Sequence, residues 1–229
     1  MKRAFQSLGF ILAFCVGTLV CFGQENPKPS EAKPKRPLAL GLLVDNSGSL
    51  RTNFSQVIDV AKEVVQNSDS DDQIFLVRFI SADAIRIVND FTNEKSALTR
   101  SLEEMYVEGG KSAITDALYL SARHLVEKTE KPGAEGYKGA LIVITDGAEE
   151  SSYYRMEALL SLLREKNIRI YVVAFPQALV LQGLKVQEKA KSYLKRLVEQ
   201  SGGRVYFPTN SDDKKILANT ILSDIRSSN

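Results

Sequence analysis

The sequence predicts an α/β fold, a doubly wound and mostly parallel sheet flanked by helices, from three observations. Residues 38–44 (Leu-Ala-Leu-Gly-Leu-Leu-Val) and 139–145 (Gly-Ala-Leu-Ile-Val-Ile-Thr) are seven-residue runs free of charge and proline, the composition of strands buried on both faces. Segments with apolar residues at helical spacing separate these and the other strand-like runs, an alternation that produces parallel βαβ units. Each of the two runs also delivers a carboxylate, Asp45 and Asp146, just beyond its carboxyl end, which is where open α/β sheets hold their ligands.

The elements follow in order. After the loop Asp45-Asn46-Ser47-Gly48-Ser49, Phe54, Val57, Ile58, Ala61, Val64 and Val65 fall at helical spacing, with Asn53 and Gln56 placed as a capping box. A polar break at 69–72 precedes the second strand, 73–80, and residues 84–88 alternate as a short edge strand. Residues 94–105 read as a helix with Leu98, Leu102 and Met105 on one side. Gly109-Gly110 marks a tight turn or a close approach of backbone to a ligand, and 112–127 is a helix burying Ile114, Leu118, Ala122 and Leu125. Beyond the strand at 139–145, Met156, Leu159, Leu160 and Leu163 define a helix, 168–175 a strand, 186–200 a helix and 204–207 a short strand. An amphipathic helix at 212–226, carried by Leu217, Ile221 and Ile225, closes the chain.

With 229 residues, 44% of them hydrophobic, the chain suffices for one good-sized domain and a tail. Met1-Lys2-Arg3 followed by the apolar stretch 8–22 has the charged and apolar regions of a secretory signal, with cleavage expected after Gly23. Retention as a membrane anchor is the alternative; the short run, interrupted by Gly9 and Gly17, speaks against it. Lipidation at Cys21 is a weaker alternative, because Thr18-Leu19-Val20 is a poor recognition sequence for it. Residues 24–37 carry Pro27, Pro29, Pro34 and Pro37 among lysines and glutamates, a solvated linker, and the domain is expected over 38–229. Both cysteines, Cys15 and Cys21, fall in the signal, so the mature chain has no thiol for a disulfide, a nucleophile or a thiolate zinc site. Of the formal charge of +2, Lys2 and Arg3 leave with the signal, so the mature chain is neutral and lacks a basic footprint for nucleic acid.

By residue type alone, Asp45, Ser47 and Ser49 offer a carboxylate and two hydroxyls within five residues, hard oxygen donors of the kind Mg²⁺ or Mn²⁺ takes. Two further loops stand out, Gly109-Gly110-Lys111-Ser112 and Thr145-Asp146-Gly147. In this order and on these elements, the three loops resemble those of the von Willebrand factor type A domain. In that family a D-x-S-x-S loop, a Thr after a glycine pair and an Asp after a later strand form a metal ion-dependent adhesion site. The resemblance spans residues 38 to about 223, and the texture of 197–204 (Leu-Val-Glu-Gln-Ser-Gly-Gly-Arg) looks like secreted bacterial members. It implies the sheet order 3-2-1-4-5-6, with Asp45 and Asp146 on neighbouring strands about 4.8 Å apart at the topological switch point. It also implies that Ser47, Ser49 and Ser112 hold the metal through hydroxyls while Asp45 and Asp146 act largely through coordinated water. The chain departs from the family in offering Ser112 in place of Thr, and Thr115, one helical turn later, is the alternative hydroxyl.

The expected function is that of a secreted or periplasmic binding protein, not an enzyme, whose Mg²⁺ or Mn²⁺ site captures an Asp or Glu of another protein. Neither nucleic acid nor a small-molecule substrate is indicated, and membrane association is expected only if the signal segment is retained. The alternative is a metal-dependent hydrolase using the same ion as Lewis acid, which the absence of a convincing general base disfavours. A third is a scaffold module in which the metal serves stability. No nucleotide-binding glycine loop is present. A Ser47-His124-Asp146 triad is disfavoured because His124, the single histidine, falls mid-helix, where a solvent-facing ring is expected. Asp116 is expected as a helix N-terminal acid. Glu149, Glu150, Ser151 and Ser152 are expected to start a helix, with an acidic rim as the alternative. Tyr153 and Tyr154 are left between contact and packing roles. Residues 178–181 (Ala-Leu-Val-Leu) are expected near the strand-end face, either exposed to a partner or packed beneath their own loop.

Overall fold

The computed structural model describes residues 36–134, 136–209 and 212–228. The expected signal at 1–23 and nearly all of the linker at 24–37 lie outside the described residues. Among the described residues no helix is long and apolar enough to cross a membrane.

Strands β1 (Leu38–Asp45), β2 (Gln73–Phe79), β3 (Ile85–Thr92), β4 (Lys138–Thr145), β5 (Arg169–Ala174) and β6 (Arg204–Tyr206) form one sheet in the order β3-β2-β1-β4-β5-β6. All pairings are parallel except β2 with β3. This is the predicted doubly wound sheet, and β1 and β4 are direct neighbours at the point where the strand order reverses.

The alternation of side chains along β1 divides the core into two. Leu38, Leu40, Leu42 and Val44 face α1 (Phe54–Asn67), α2 (Lys95–Glu103) and, at the end of the chain, a helix over Lys214–Ser227. Ala39 and Leu43 face α3 (Ile114–Thr129), α4 (Met156–Glu165) and α5 (Leu184–Ser201). The closing helix is α6. Every residue of β1 is buried, which is why its sequence shows no polar alternation. Gly41 occupies the one position on the second face where a side chain would not fit: a Cβ there would sit 2.4 Å from Phe75 Cζ and 2.6 Å from Leu141 Cδ2.

Several expectations are corrected. β3 runs on to Thr92, because Ile74 pairs with Thr92 and prolongs the antiparallel ladder. α3 begins at Ile114 instead of Ser112, since the Ala113 amide bonds the Ile80 carbonyl at 2.7 Å and keeps the preceding residues outside the helix. The Asn53 side chain does not cap α1. The chain enters that helix from a 3₁₀ turn, Gly48–Thr52, with Asn53 at φ −113°, ψ 2°, away from the extended conformation that capping requires. His124 is not solvent-facing: its Nε2 lies 2.8 Å from Asp90 Oδ1, and its ring stacks on Phe91 and meets the edge of Phe75. Asp90 and Phe91 lie in the part of β3 that the sequence reading left out.

Gly41→Ala is expected to lower stability to urea by about 1–3 kcal/mol, the range for overpacking a filled core, because both Phe75 and Leu141 would have to move. An unchanged unfolding midpoint would show that the second face of the sheet is looser than these contacts indicate.

Candidate metal centre

The carboxyl end of β1 gathers three loops around one side chain. Asp45 is fully buried, and its Oδ1 accepts the Ser47 amide at 2.9 Å. Its Oδ2 accepts two hydroxyls, Thr145 Oγ1 at 2.6 Å and Ser112 Oγ at 3.0 Å. The Ser47 and Ser49 hydroxyls lie 3.3 Å apart in the same loop. Ser47 and Ser112 are buried, and Ser49 is half-buried. Thr145, which belongs to the third loop but is not among the expected ligands, thus joins the site. Its signal was the parallel register, which pairs Val44 with Ile144 and so sets Thr145 level with Asp45.

Backbone geometry brings the loops close. A Cβ on Gly48 would lie 3.3 Å from Gly109 Cα, so the first loop and the glycine-pair loop approach through backbone alone. Gly109 and Gly110 have φ of +95° and +92°, a region that favours glycine, and a Cβ on Gly110 would strike Ile80. Asn46 fastens the same loop from below: its Nδ2 donates to the Tyr106 carbonyl at 2.8 Å, and its own carbonyl accepts the Glu108 amide at 3.1 Å.

Asp146, directly after β4, is also fully buried. Its Oδ1 accepts the Ala148 amide at 2.9 Å, whereas Oδ2 is buried with no hydrogen-bond partner among the described residues. Burial, and then the neighbouring charge of Asp146, push Asp45 up to about 7, against the hydrogen bonds from Thr145 and Ser47. Burial likewise raises Asp146, with the Ser49 hydroxyl and the Ala148 amide drawing it partly back. Two acids that repel each other, one with an unsatisfied oxygen, constitute a site with a deficit of positive charge. Among the described residues no group of three or more His, Cys, Asp or Glu side chains could hold a metal, so an ion here depends on hydroxyl oxygens as well as the two acids.

The five expected ligands Asp45, Ser47, Ser49, Ser112 and Asp146 therefore sit on the three loops at one end of β1 and β4. The alternative hydroxyl, Thr115, is engaged elsewhere: its Oγ1 donates to Glu149 Oε2 at 2.9 Å and lies 2.9 Å from the Tyr193 hydroxyl. Glu149 does not start a helix, because α4 begins only at Met156. Residues 149–154 instead fold over the N-terminus of α3. Asp116 is in the first turn of that helix, as expected, yet its carboxylate is occupied by the amides of Tyr153 and Tyr154 at 2.8 and 2.7 Å. Tyr154 stacks on Tyr119 at 4.1 Å, and Tyr153 is exposed. Residues 178–181 divide between the two expectations: Leu179 is buried and Ala178 packs on the core, while Val180 and Leu181 are exposed. Their 3₁₀ turn, Pro176–Gln182, packs against the 3₁₀ turn that carries Ser49, which places the exposed pair on the strand-end face.

The raised acids give the metal-free protein a defined pH response. Asp45 has a folded value of about 7 against 3.8 for an unperturbed aspartate, so between these limits the folded state holds a proton that the unfolded state has lost. The destabilisation is complete above pH 7 and is relieved as the pH falls toward 4. In chelator the protein is expected to be more stable at pH 6 than at pH 8 by about 1 kcal/mol, and Asp45→Asn should remove the difference. Denaturation curves that coincide at the two pH values would contradict this.

Known structures share the architecture. The structure of an aerotolerance-related membrane protein from Bacteroides fragilis matches with a TM-score of 0.63 and 16% identity, over 83% of this chain and 100% of that one. The conserved hypothetical protein BatB from Bacteroides thetaiotaomicron matches with a TM-score of 0.65 and 18% identity over the same shares. The SpRpn10 VWA domain matches with a TM-score of 0.55 and 11% identity, over 80% of this chain and 95% of that one. At these identities the likeness is one of fold. No functionally curated protein matches the chain in sequence. The family model of the von Willebrand factor type A domain matches residues 40–220, a span that takes in β1, the sheet and all three loops, and the chain belongs to that family.

Proposed function

We propose that this domain binds another protein through a divalent cation, Mg²⁺ or Mn²⁺, held at the carboxyl ends of β1 and β4. The observation that carries the reading is Asp146 Oδ2, buried and without a hydrogen-bond partner among the described residues, beside a second buried carboxylate. A buried unpaired carboxylate oxygen costs several kcal/mol unless a cation or donor meets it. The donor set fits a hard cation. Ser112 gives its proton to Asp45 and so keeps its oxygen lone pairs free, and the Ser47 and Ser49 hydroxyls stand together in the half-buried loop opposite. Bound there, the ion supplies positive charge and an open position that an Asp or Glu of the partner can fill.

Three neutral hydroxyls and two acids leave the ion electrophilic, which suits capture of a further carboxylate. Binding is favoured over hydrolysis because the lone histidine, His124, is occupied by Asp90. Membership of a family of mostly protein-interaction modules and the fold shared with BatB and the SpRpn10 domain support the same choice. The leader-like residues 1–23 support a periplasmic or extracellular location for the domain, and the likeness to an aerotolerance-related membrane protein suits an envelope location.

Ser47→Ala combined with Ser49→Ala is expected to abolish Mg²⁺-dependent stabilisation in a thermal melt. The melt in chelator should stay within about 1 kcal/mol, since the sheet core is untouched. Asp146→Ala should likewise lose the Mg²⁺ response. Ser112→Ala should weaken metal binding whereas Thr115→Ala should leave the first coordination of the ion in place. Calorimetry of the unmutated protein with millimolar Mg²⁺ or Mn²⁺ that detects no binding would refute the metal reading.

A further inference from the structure

We infer that Glu149, which is not among the expected ligands, is the positioning residue that holds the Ser112 hydroxyl at the metal centre and ties the centre to α5; the inference rests on the metal reading above. Its carboxylate is held by protein donors, most of them at one oxygen. Oε2 accepts the Thr115 amide at 2.7 Å, the Thr115 hydroxyl at 2.9 Å and the Ser152 hydroxyl at 2.9 Å, and lies 3.4 Å from the Tyr193 hydroxyl of α5. Oε1 accepts the Ser152 amide at 3.1 Å. A carboxylate has about four lone-pair sites. The contacts at Oε2 use both of its lone-pair sites and Oε1 is tied to Ser152, so Glu149 acts through its neighbours.

Its position explains what it acts upon. The N-terminus of α3 lacks a side-chain cap from its own Ala113, so the orphan amide of Thr115 depends on Glu149. A negative charge at a helix N-terminus is also favoured by the helix dipole. The backbone beside Glu149 completes the attachment. The amides of Glu150 and Ser151 both donate to the Ser112 carbonyl, at 2.9 and 3.1 Å, and the Ser151 hydroxyl donates to the Lys111 carbonyl at 2.7 Å. The Asp116 amide donates to the Ser152 hydroxyl, and the Asp116 carboxylate takes the Tyr153 and Tyr154 amides. Residues 149–154 are thus zipped to residues 111–116, which locks the loop after Asp146 to the loop of Ser112.

Within this zip the side chains of Thr115 and Glu149 both reach Tyr193 of α5, at 2.9 and 3.4 Å, and Glu149 also holds Thr115 in place. Tyr193 is partly buried against the second core, and its hydroxyl is pushed well above the usual phenol range by desolvation and then by the Glu149 charge, so it is a neutral donor at all ordinary pH. Gly147, with φ of +87°, lets the chain after Asp146 turn against Leu194 of the same helix, where a Cβ would come within 2.7 Å. Two contacts, one polar and one steric, therefore set the Asp146 loop on α5. Serine has more rotamer freedom than the β-branched threonine that the family resemblance leads one to expect at 112, and a rigid backbone around Ser112 compensates for that freedom.

The test titrates Mg²⁺ by calorimetry into the full chain and into E149A, E149Q, Y193F and a control, L222A, which weakens the opposite core without touching the zip. The temperature is one at which circular dichroism shows every variant folded. E149A is expected to bind Mg²⁺ at least tenfold more weakly, E149Q and Y193F severalfold more weakly, and L222A as tightly as the unmutated protein although it melts lower. In chelator, hydrogen exchange of the Thr115 and Ser152 amides should quicken in E149A while β1 keeps its protection. Mg²⁺ affinity in E149A equal to that in L222A, or full affinity in both E149Q and Y193F, would overturn the inference and leave the metal reading standing. Absence of Mg²⁺ binding in the unmutated protein would overturn both. Should E149A fail to fold, E149Q and Y193F decide the matter alone.

Discussion

Two carboxylates buried side by side at the ends of adjacent parallel strands are the constraint on which this structure turns. Parallel pairing of β1 with β4 puts both strand ends at one end of the sheet, and the register sets Thr145 level with Asp45 and Asp146 one residue beyond it. The layers beneath are aliphatic and aromatic, so they fix the pairing firmly and offer no countercharge. Water is excluded from both acids. Among the described residues relief comes from hydroxyl and amide donors, and these satisfy Asp45 on both oxygens while leaving one oxygen of Asp146 bare. A fold that spends stability in this way at one point invites a cation there.

The scaffold and the loops divide the work. The sheet supplies position through burial that no single loop residue controls, as at Gly41, where the absence of a side chain lets Phe75 and Leu141 close over β1. The loops supply the donors; Gly48 and Gly147 let their backbones lie close to the glycine pair and to α5, and Gly109 and Gly110 take the positive φ that their turn requires. The polar zip between residues 111–116 and 149–154 then makes two of the loops into one body. Loss of a serine hydroxyl touches chemistry, whereas loss of a core contact touches the geometry of all donors at once.

Much of this was legible in the chain itself, and the failures have a common cause. Long apolar runs and 3.6-residue periodicity fix elements locally, so β1, β4 and the helices on both faces emerged from pattern alone. Asn53 carries the pattern of a cap, but a 3₁₀ turn leads into it, and that turn starts at Gly48, which lies against the distant Gly109, a contact no local pattern records. His124 was read as exposed because the edge strand was ended too early. Once β2 draws β3 out to Thr92, Asp90 and Phe91 come to lie over the ring. Glu149 has the pattern of a helix start for the same reason, since its partners Thr115 and Tyr193 are 34 and 44 residues away in sequence.

The sequence by itself determined the order of the elements, the strand-end placement of Asp45 and Asp146, and the hydroxyl-rich character of the loops, because these follow from residue type and short-range period. The tertiary structure decided which hydroxyl joins Asp45: Ser112 turns to it, and Thr115 is claimed by Glu149 and Tyr193. It also decided that Leu179 is buried while Val180 and Leu181 remain exposed beside the loop of Ser49, and that one oxygen of Asp146 is unsatisfied. These outcomes depend on which distant elements pack together. Burial and hydrogen-bond satisfaction are properties of the assembled layers, and the neighbours that set them are remote in the chain.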